Sequence, residues 1–259
     1  MITSTANAQI RTLTQLKKKA KERRQQQLYV AEGFRMFREA PAEEIERIYV
    51  SASFLGDPEN AVLLEGRRYE VLSDAVFSHV SDTQTPQGIL CLMRMRRYRL
   101  SDVLGEPGGV WLILENIQDP GNLGTMLRVG EGAGIAGVIM DRFTADIYNP
   151  KTIRSTMGSI YRVPFYITED LPETIREIKS RDIRVYAAYL KGSRCYNEED
   201  YIGSTAFLIG NEGSGLTEET AALADRRIRI PMHGKVESLN AAMAAGILMY
   251  EADRQRRGG

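Results

Sequence analysis

Five polar side chains, in three separated stretches of the C-terminal half, have the types and spacing of a reaction site. Asn122 and Arg128 lie in ENIQDPGNLGTMLR (115–128), Glu212 in LIGNEGSGL (208–216), and Ser238 and Asn240 in IPMHGKVESLNAA (230–242). An arginine beside a glycine-containing loop suits a phosphate, because its planar fork donates paired hydrogen bonds. A surface ion pair is the competing use. The glycines at 210, 213 and 215 are too dense for regular structure and let a ligand approach the backbone closely, with Glu212 as the only carboxylate among them. Asn122 and Ser238 also stand where helix N-caps are expected.

Each stretch follows an apolar run of the kind that forms a strand buried on both faces. WLILE (111–115), GVIMD (137–141), IRVYAAYL (183–190), TAFLIG (205–210) and IRIP (228–231) are the runs, with helix candidates such as LPETIREIKS (171–180) between them. The alternation predicts an α/β fold, a mainly parallel sheet with helices on both sides. Loops at the carboxyl ends of such strands gather into ligand sites. A final helix is expected from about Ser238, with Leu239, Met243, Ile247 and Tyr250 on one face. Gly132–Gly137 matches G-x-G-x-x-G, but a helix candidate precedes it and a strand follows. That is the reverse of the dinucleotide-binding order, so these glycines are read as a helix end.

Before this region lies a small α/β unit. Residues 8–24 look helical, strands are expected at 28–33, 47–51, 69–73 and after TPQG (85–88), and helices at 33–40 and after Ser73 or Asp74. The expected boundaries are a first domain over 1–98, a Pro/Gly-rich linker over 99–108, and a second domain over 109–259. Lys+Arg and Asp+Glu both total 34, so net charge implies no anionic partner. The distribution is uneven. Seven basic residues and one acid lie between Arg11 and Arg24, and further clusters occur at 94–99 and 254–257. Cys91 and Cys195 have no metal-ligand spacing and fit a reducing cytoplasm. No signal core and no membrane span are expected. With only His79 and His233, no metal site is expected, and His233 reads as a loop histidine rather than a base.

Together, in this order and spacing, the three stretches resemble the motifs of the SpoU/TrmH family of RNA ribose methyltransferases, in the SPOUT superfamily, over roughly residues 109–257. KKKAKERRQQQLYVAEGFRMFREA and TPQGIL resemble the ribosomal-protein-like substrate domain that often precedes this catalytic domain. The resemblance implies a C-terminal trefoil knot, although knots are otherwise rare, and a homodimer with sites near the dimer interface. It implies S-adenosyl-L-methionine bound through Gly210, Ile230, Met232 and Leu239. It maps the catalytic arginine to Arg128 and the other polar site positions to Asn122, Glu212, Ser238 and Asn240. RNA contacts in the first domain would come from Arg11, Lys17, Lys18, Lys19, Lys21, Arg23, Arg24 and Arg35. Ribosomal RNA is the preferred partner and transfer RNA the alternative. A non-catalytic RNA-binding protein that keeps the fold is the reading from another class.

Overall fold

The computed structural model describes residues 1–105 and 107–258. The chain divides into two compact units. Met1–Arg96 and Asp146–Tyr161 form the first, and the second takes Arg97–Ala145 together with the chain from Arg162 onward.

In the first unit, helices α1 (Ala8–Lys18) and α2 (Ala20–Gln26) are separated by Lys19, which is extended at φ −124° and ψ 115°. The expected single helix over 8–24 is therefore two. Asn7 caps α1 by accepting from the Gln9 amide. Strands β1 (Leu28–Glu32), β2 (Ile45–Ser51), β3 (Tyr69–Leu72) and β4 (Ile89–Arg94) pair in the order β1-β4-β2-β3, with β2 and β3 parallel. Helices α3 (Phe34–Glu39) and α6 (Asp74–Val80, capped by Ser73) occupy the expected places, and two short helices, α4 (Ala52–Leu55) and α5 (Pro58–Val62), fill the stretch before β3. Helix α9 (Pro150–Thr156) arrives from far along the chain and packs on β1.

Two of the expected RNA contacts are internal ions instead. Ile10, Leu13 and Leu16 put one face of α1 in the core, and Lys17 follows them inward, only 8% exposed. Its ammonium lies 3.1 Å from Glu32 and 3.1 Å from Asp82 and donates to the Val80 carbonyl. Arg23 is 3% exposed; its Nε donates to Asp146 at 3.0 Å, and the carbonyls of Leu16 and Lys17 accept from its Nη1. Neither residue is placed to touch RNA. Arg11 is exposed but donates to the Ala6 carbonyl, and exposed Arg35 pairs with Glu39. Lys18, Lys19, Lys21 and Arg24 are exposed, and their side chains make no hydrogen bond or ion pair among the described residues. Removing one member of a buried pair strands the other charge at a cost of about 3–5 kcal/mol, whereas most exposed substitutions stay within roughly 0.5 kcal/mol. Lys17→Ala should therefore lower unfolding stability by several kcal/mol, and Lys18→Ala and Lys21→Ala should scarcely change it. Urea titrations of the three variants check this; equal midpoints for all three would refute the internal role.

The second unit holds a seven-stranded sheet in which every neighbouring pair is parallel. Its strands are β5 (Val110–Leu114), β6 (Gly137–Asp141), β7 (Phe165–Thr168), β8 (Arg184–Ala188), β9 (Arg194–Cys195), β10 (Thr205–Ile209) and β11 (Arg226–Arg229), in the order β7-β6-β5-β10-β8-β11-β9. β5, β6 and β10 are buried at every position, as strands covered on both faces must be. Trp111, Ile113, Val185, Ala206 and Leu208 share one cluster with helices α10 (Leu171–Ser180) and α11 (Glu218–Ala222), while helix α12 (Ala241–Arg257) packs on β5, β10 and helix α8 (Pro120–Gly132).

The expected linker is partly a helix. α7 (Leu100–Leu104) buries Leu100, Val103 and Leu104 in the sheet's core, and the Trp111 indole donates to the Val103 carbonyl at 2.9 Å. Three apolar residues at helical spacing outweigh the flanking glycines. The G-x-G-x-x-G stretch ends α8 and leads into β6, with Gly134 at φ +70°. A Cβ on Gly137 would stand 2.6 Å from Val103 Cγ1 and 3.0 Å from the Pro164 carbonyl oxygen. These glycines serve helix termination and close packing. Helix α12 starts at Ala241, not near Ser238, with Asn240 as its cap. Its buried face is Ala241, Ala242, Ala245, Leu248, Met249 and Ala252. Met243 and Tyr250, expected on an apolar face with Leu239 and Ile247, are instead 58% and 46% exposed.

Candidate active site

The parallel register brings the segments after β5, β10 and β11 to one edge of the sheet. β5 runs into a loop whose Asn116 adopts φ +56°. Asp119, not Asn122, caps α8 by accepting from the Asn122 amide at 2.9 Å. This leaves the Asn122 side chain available. Its Nδ2 donates to Glu212 Oε1 at 2.9 Å, and its Oδ1 accepts from Asn240 Nδ2 at 2.9 Å. Glu212 also accepts from the amides of Gln118 (2.9 Å) and Asp119 (3.0 Å). Asn240 Oδ1 is committed to the first amides of α12, from Ala242 and Met243. One hydrogen-bonded relay thus joins all three stretches.

Burial opposes the Glu212 charge, but the Asn122 amide and the Gln118 and Asp119 backbone N–H groups outweigh it and hold the carboxyl below the usual glutamate range. A depressed folded-state pKa gives stability that is complete above the unfolded pKa and disappears as pH falls through the folded one. Glu212→Gln should therefore melt below the parent at neutral pH, and the gap should close on acidification through the range below the ordinary glutamate pKa. Melting curves from pH 7 to pH 3 test this; a gap independent of pH would show that the Glu212 charge is not engaged.

The loop after β10 folds back on itself. Asn211 and Gly215 exchange backbone hydrogen bonds of 3.1 and 2.9 Å. Asn211 Oδ1 accepts from the amides of Gly213 and Ser214, and its Nδ2 donates to the Asn116 carbonyl at 2.8 Å. Gly210 lies under this fold. A Cβ there would be 2.2 Å from the Leu216 nitrogen and 2.3 Å from the Gly215 carbonyl carbon.

This loop walls a cavity of about 420 Å³ that is also lined by Ile230, Met232, Ser238 and Leu239. Gly210, Ile230, Met232 and Leu239, the four positions expected to hold the cofactor, all line it, and so does Glu212. Ser238 lines the cavity and caps no helix. Arg128 stands apart. It is exposed on α8, and its guanidinium has no hydrogen bond or ion pair among the described residues. Six residues beyond Asn122, it sits about 9 Å further along the helix axis. His233 is exposed in the loop after β11 and does not line the cavity.

Residues 109–250 match the model of the SpoU rRNA methylase family. The chain belongs to this family. Residues 7–91 match the MRM3-like substrate binding domain. Among relatives of this SpoU methylase, the 23S rRNA (guanosine(2553)-2'-O)-methyltransferase RlmP of Bacillus subtilis is 37% identical over 180 residues, 70% of each chain. The 23S rRNA (guanosine-2'-O-)-methyltransferase RlmB of Bordetella pertussis is 33% identical over 234 residues, 85% of this chain and 93% of the relative. The crystal structure of an AdoMet-bound rRNA methyltransferase from Sinorhizobium meliloti superposes with a TM-score of 0.85 at 29% identity, covering 98% of this chain and 97% of the other.

The SpoU methylase cavity has a wall that the three motifs do not include. Ala188, Tyr189, Leu190 and Lys191, at the end of β8, line it opposite no recognisable motif. The signal was present, since β8 is a strand of the same sheet and its following loop must open on the same edge.

Proposed function

We infer that this protein transfers a methyl group from S-adenosyl-L-methionine to a ribose 2′-hydroxyl of RNA, ribosomal RNA before transfer RNA. The observation that carries the reading is the Asn240–Asn122–Glu212 relay beside a cavity walled by glycine backbone. A binding module has no use for such a polar relay at such a place. The cavity has the volume of a small-molecule site, and the glycines at Gly210–Gly215 let a cofactor approach the backbone closely. Gly210, Ile230, Met232 and Leu239 would hold S-adenosyl-L-methionine, which when bound supplies a methyl group on a positively charged sulfur.

The 2′-hydroxyl is a weak nucleophile, and as its oxygen takes the methyl group its proton must pass to solvent or to a neighbouring RNA phosphate. Glu212 is unsuited as the base, since its oxygens are occupied and its carboxyl is held ionised. The Arg128 guanidinium is the other candidate, and arginine as a residue type is too weak an acid to serve as a base. Its uncommitted fork positions an RNA phosphate and stabilises developing oxyanion charge. The amides of Asn122 and Asn240 each spend one N–H on the relay and keep a second, which can steer the ribose. Ser238 adds a hydroxyl at the cavity wall.

The same reading includes a C-terminal trefoil knot, supported by the packing of α12 against β5 and β10 after the chain has formed β11. It includes a homodimer, supported by the apolar side chains that α12 leaves outside, Met243 and Tyr250. The first unit supplies RNA affinity through Lys18, Lys19, Lys21 and Arg24. No helix among the described residues is long and apolar enough to cross a membrane, and the free thiols of Cys91 and Cys195 fit a cytoplasmic setting. Methyl transfer from labelled cofactor to unmodified ribosomal RNA, followed by complete digestion to nucleosides, tests the assignment. The product should resist alkali at the modified position, because a methylated 2′-oxygen cannot attack the adjacent phosphodiester. A methyl group found on a base would overturn it.

A further inference from the structure

We propose that Phe143 and Arg142 form a stacking platform for an unpaired base of the RNA. The proposal rests on the RNA methyltransferase reading above. Phe143 follows β6, so it lies on the sheet edge that carries the site loops, and it is 61% exposed. Its backbone is fixed by a dense set of hydrogen bonds. Its carbonyl accepts from Gln118 Nε2 at 2.8 Å. On either side, Asp141 Oδ1 accepts from the Asn116 amide (3.1 Å) and the Thr144 amide (2.8 Å), and Thr144 Oγ1 accepts from the Ile117 amide (3.2 Å). The Ala145 amide donates to the Ile117 carbonyl at 2.7 Å. The Gln118 amide in turn binds Glu212 at 2.9 Å. The Phe143 backbone, and so the root of its ring, is therefore held by the same loop that holds the relay.

The Arg142 guanidinium lies 4.8 Å from the ring centroid and pairs with Glu169 at 3.0 Å. An exposed ion pair of this kind contributes little stability. Rings and guanidinium planes at fixed positions are what proteins use to hold splayed RNA bases. A nucleotide next to the reacting ribose, held by its base, would leave the 2′-hydroxyl fixed relative to the relay. The positive charge of Arg142 complements the RNA backbone.

The test measures binding of the full chain to an unmodified 23S rRNA transcript by filter retention across a range of salt concentrations. Phe143→Ala and Phe143→Leu should weaken binding roughly 5- to 150-fold, the equivalent of about 1–3 kcal/mol for one stacked base. Phe143→Tyr should retain it. Because stacking neutralises no phosphate, the log–log salt slope should stay that of the parent. Parental affinity in the Ala variant, or a Leu variant as good as Phe, would overturn the proposal. So would sedimentation showing that Phe143→Ala is monomeric where the parent is dimeric, with binding restored at high protein concentration; Phe143 would then be a self-association contact. A parent that binds the transcript but transfers no methyl group would count against the enzyme reading and leave this comparison decisive.

Discussion

Arg128→Ala should abolish methyl transfer, with a loss of roughly 10²- to 10³-fold or more in turnover, the scale seen when one preorganised donor to a developing oxyanion is removed. The fold should be unaffected, since the guanidinium has no hydrogen bond or ion pair among the described residues and the side chain is exposed. Cofactor affinity should also persist, because Arg128 does not line the cavity. Arg128→Lys should fail nearly as badly: an ammonium is a point charge and cannot present two parallel N–H groups to a phosphate. Single-turnover rates with ribosomal RNA, beside calorimetric titration of S-adenosylhomocysteine, separate these effects. A lysine variant with near-parental turnover would eliminate the oriented-fork role.

Gly210→Ala should cost cofactor binding outright. The new methyl carbon would fall 2.2–2.5 Å from the backbone of Gly215 and Leu216, and backbone, unlike a side-chain tip, cannot swing away. The loop would have to open, breaking the Asn211–Gly215 pair and the wall of the cavity. Overpacking of this kind costs about 1–3 kcal/mol. The clearer readout is the ligand. S-adenosyl-L-methionine at 100 times its dissociation constant should stabilise the parent by about 2.7 kcal/mol, and the variant should show no such thermal shift. A parental shift in Gly210→Ala would mean that the cofactor does not use this loop.

What the amino-acid order revealed and what it hid follow from the range of the interactions. β5, β6 and β10 are legible because burial on both faces demands continuous apolar runs, and α10 because its apolar spacing and N-cap are local. The cavity residues were found through the motif resemblance, and the fold assembles them. Lys17 and Arg23 misled because their partners lie elsewhere in the chain: Glu32 is 15 residues from Lys17, and Asp146 is 123 from Arg23. A basic run reads as a surface until those carboxylates are placed. α12 misled for a different reason. Nearly every residue from Ala241 to Tyr250 is apolar, so periodicity offers more than one face, and the alanine face goes inward because small residues allow close approach to α8, where Gly246 meets Val129. Phe143 carries no motif.

The return of Asp146–Tyr161 to the first unit has a consequence for the order in which the chain is made. Domains generally fold from the N-terminus as they emerge, at about 5–20 residues per second. Here the N-terminal unit cannot finish when residue 96 appears. Arg23 waits, buried side chain and all, for Asp146, and Tyr29 waits for the ring of Tyr148, 4.6 Å away in the finished fold. By then β5, α8 and β6 have already been synthesised. The nascent polypeptide therefore passes through a period of several seconds in which both halves are incomplete together, and in which a ribosome stalled between codons 97 and 145 would display an unfinished first unit with an unpaired internal charge.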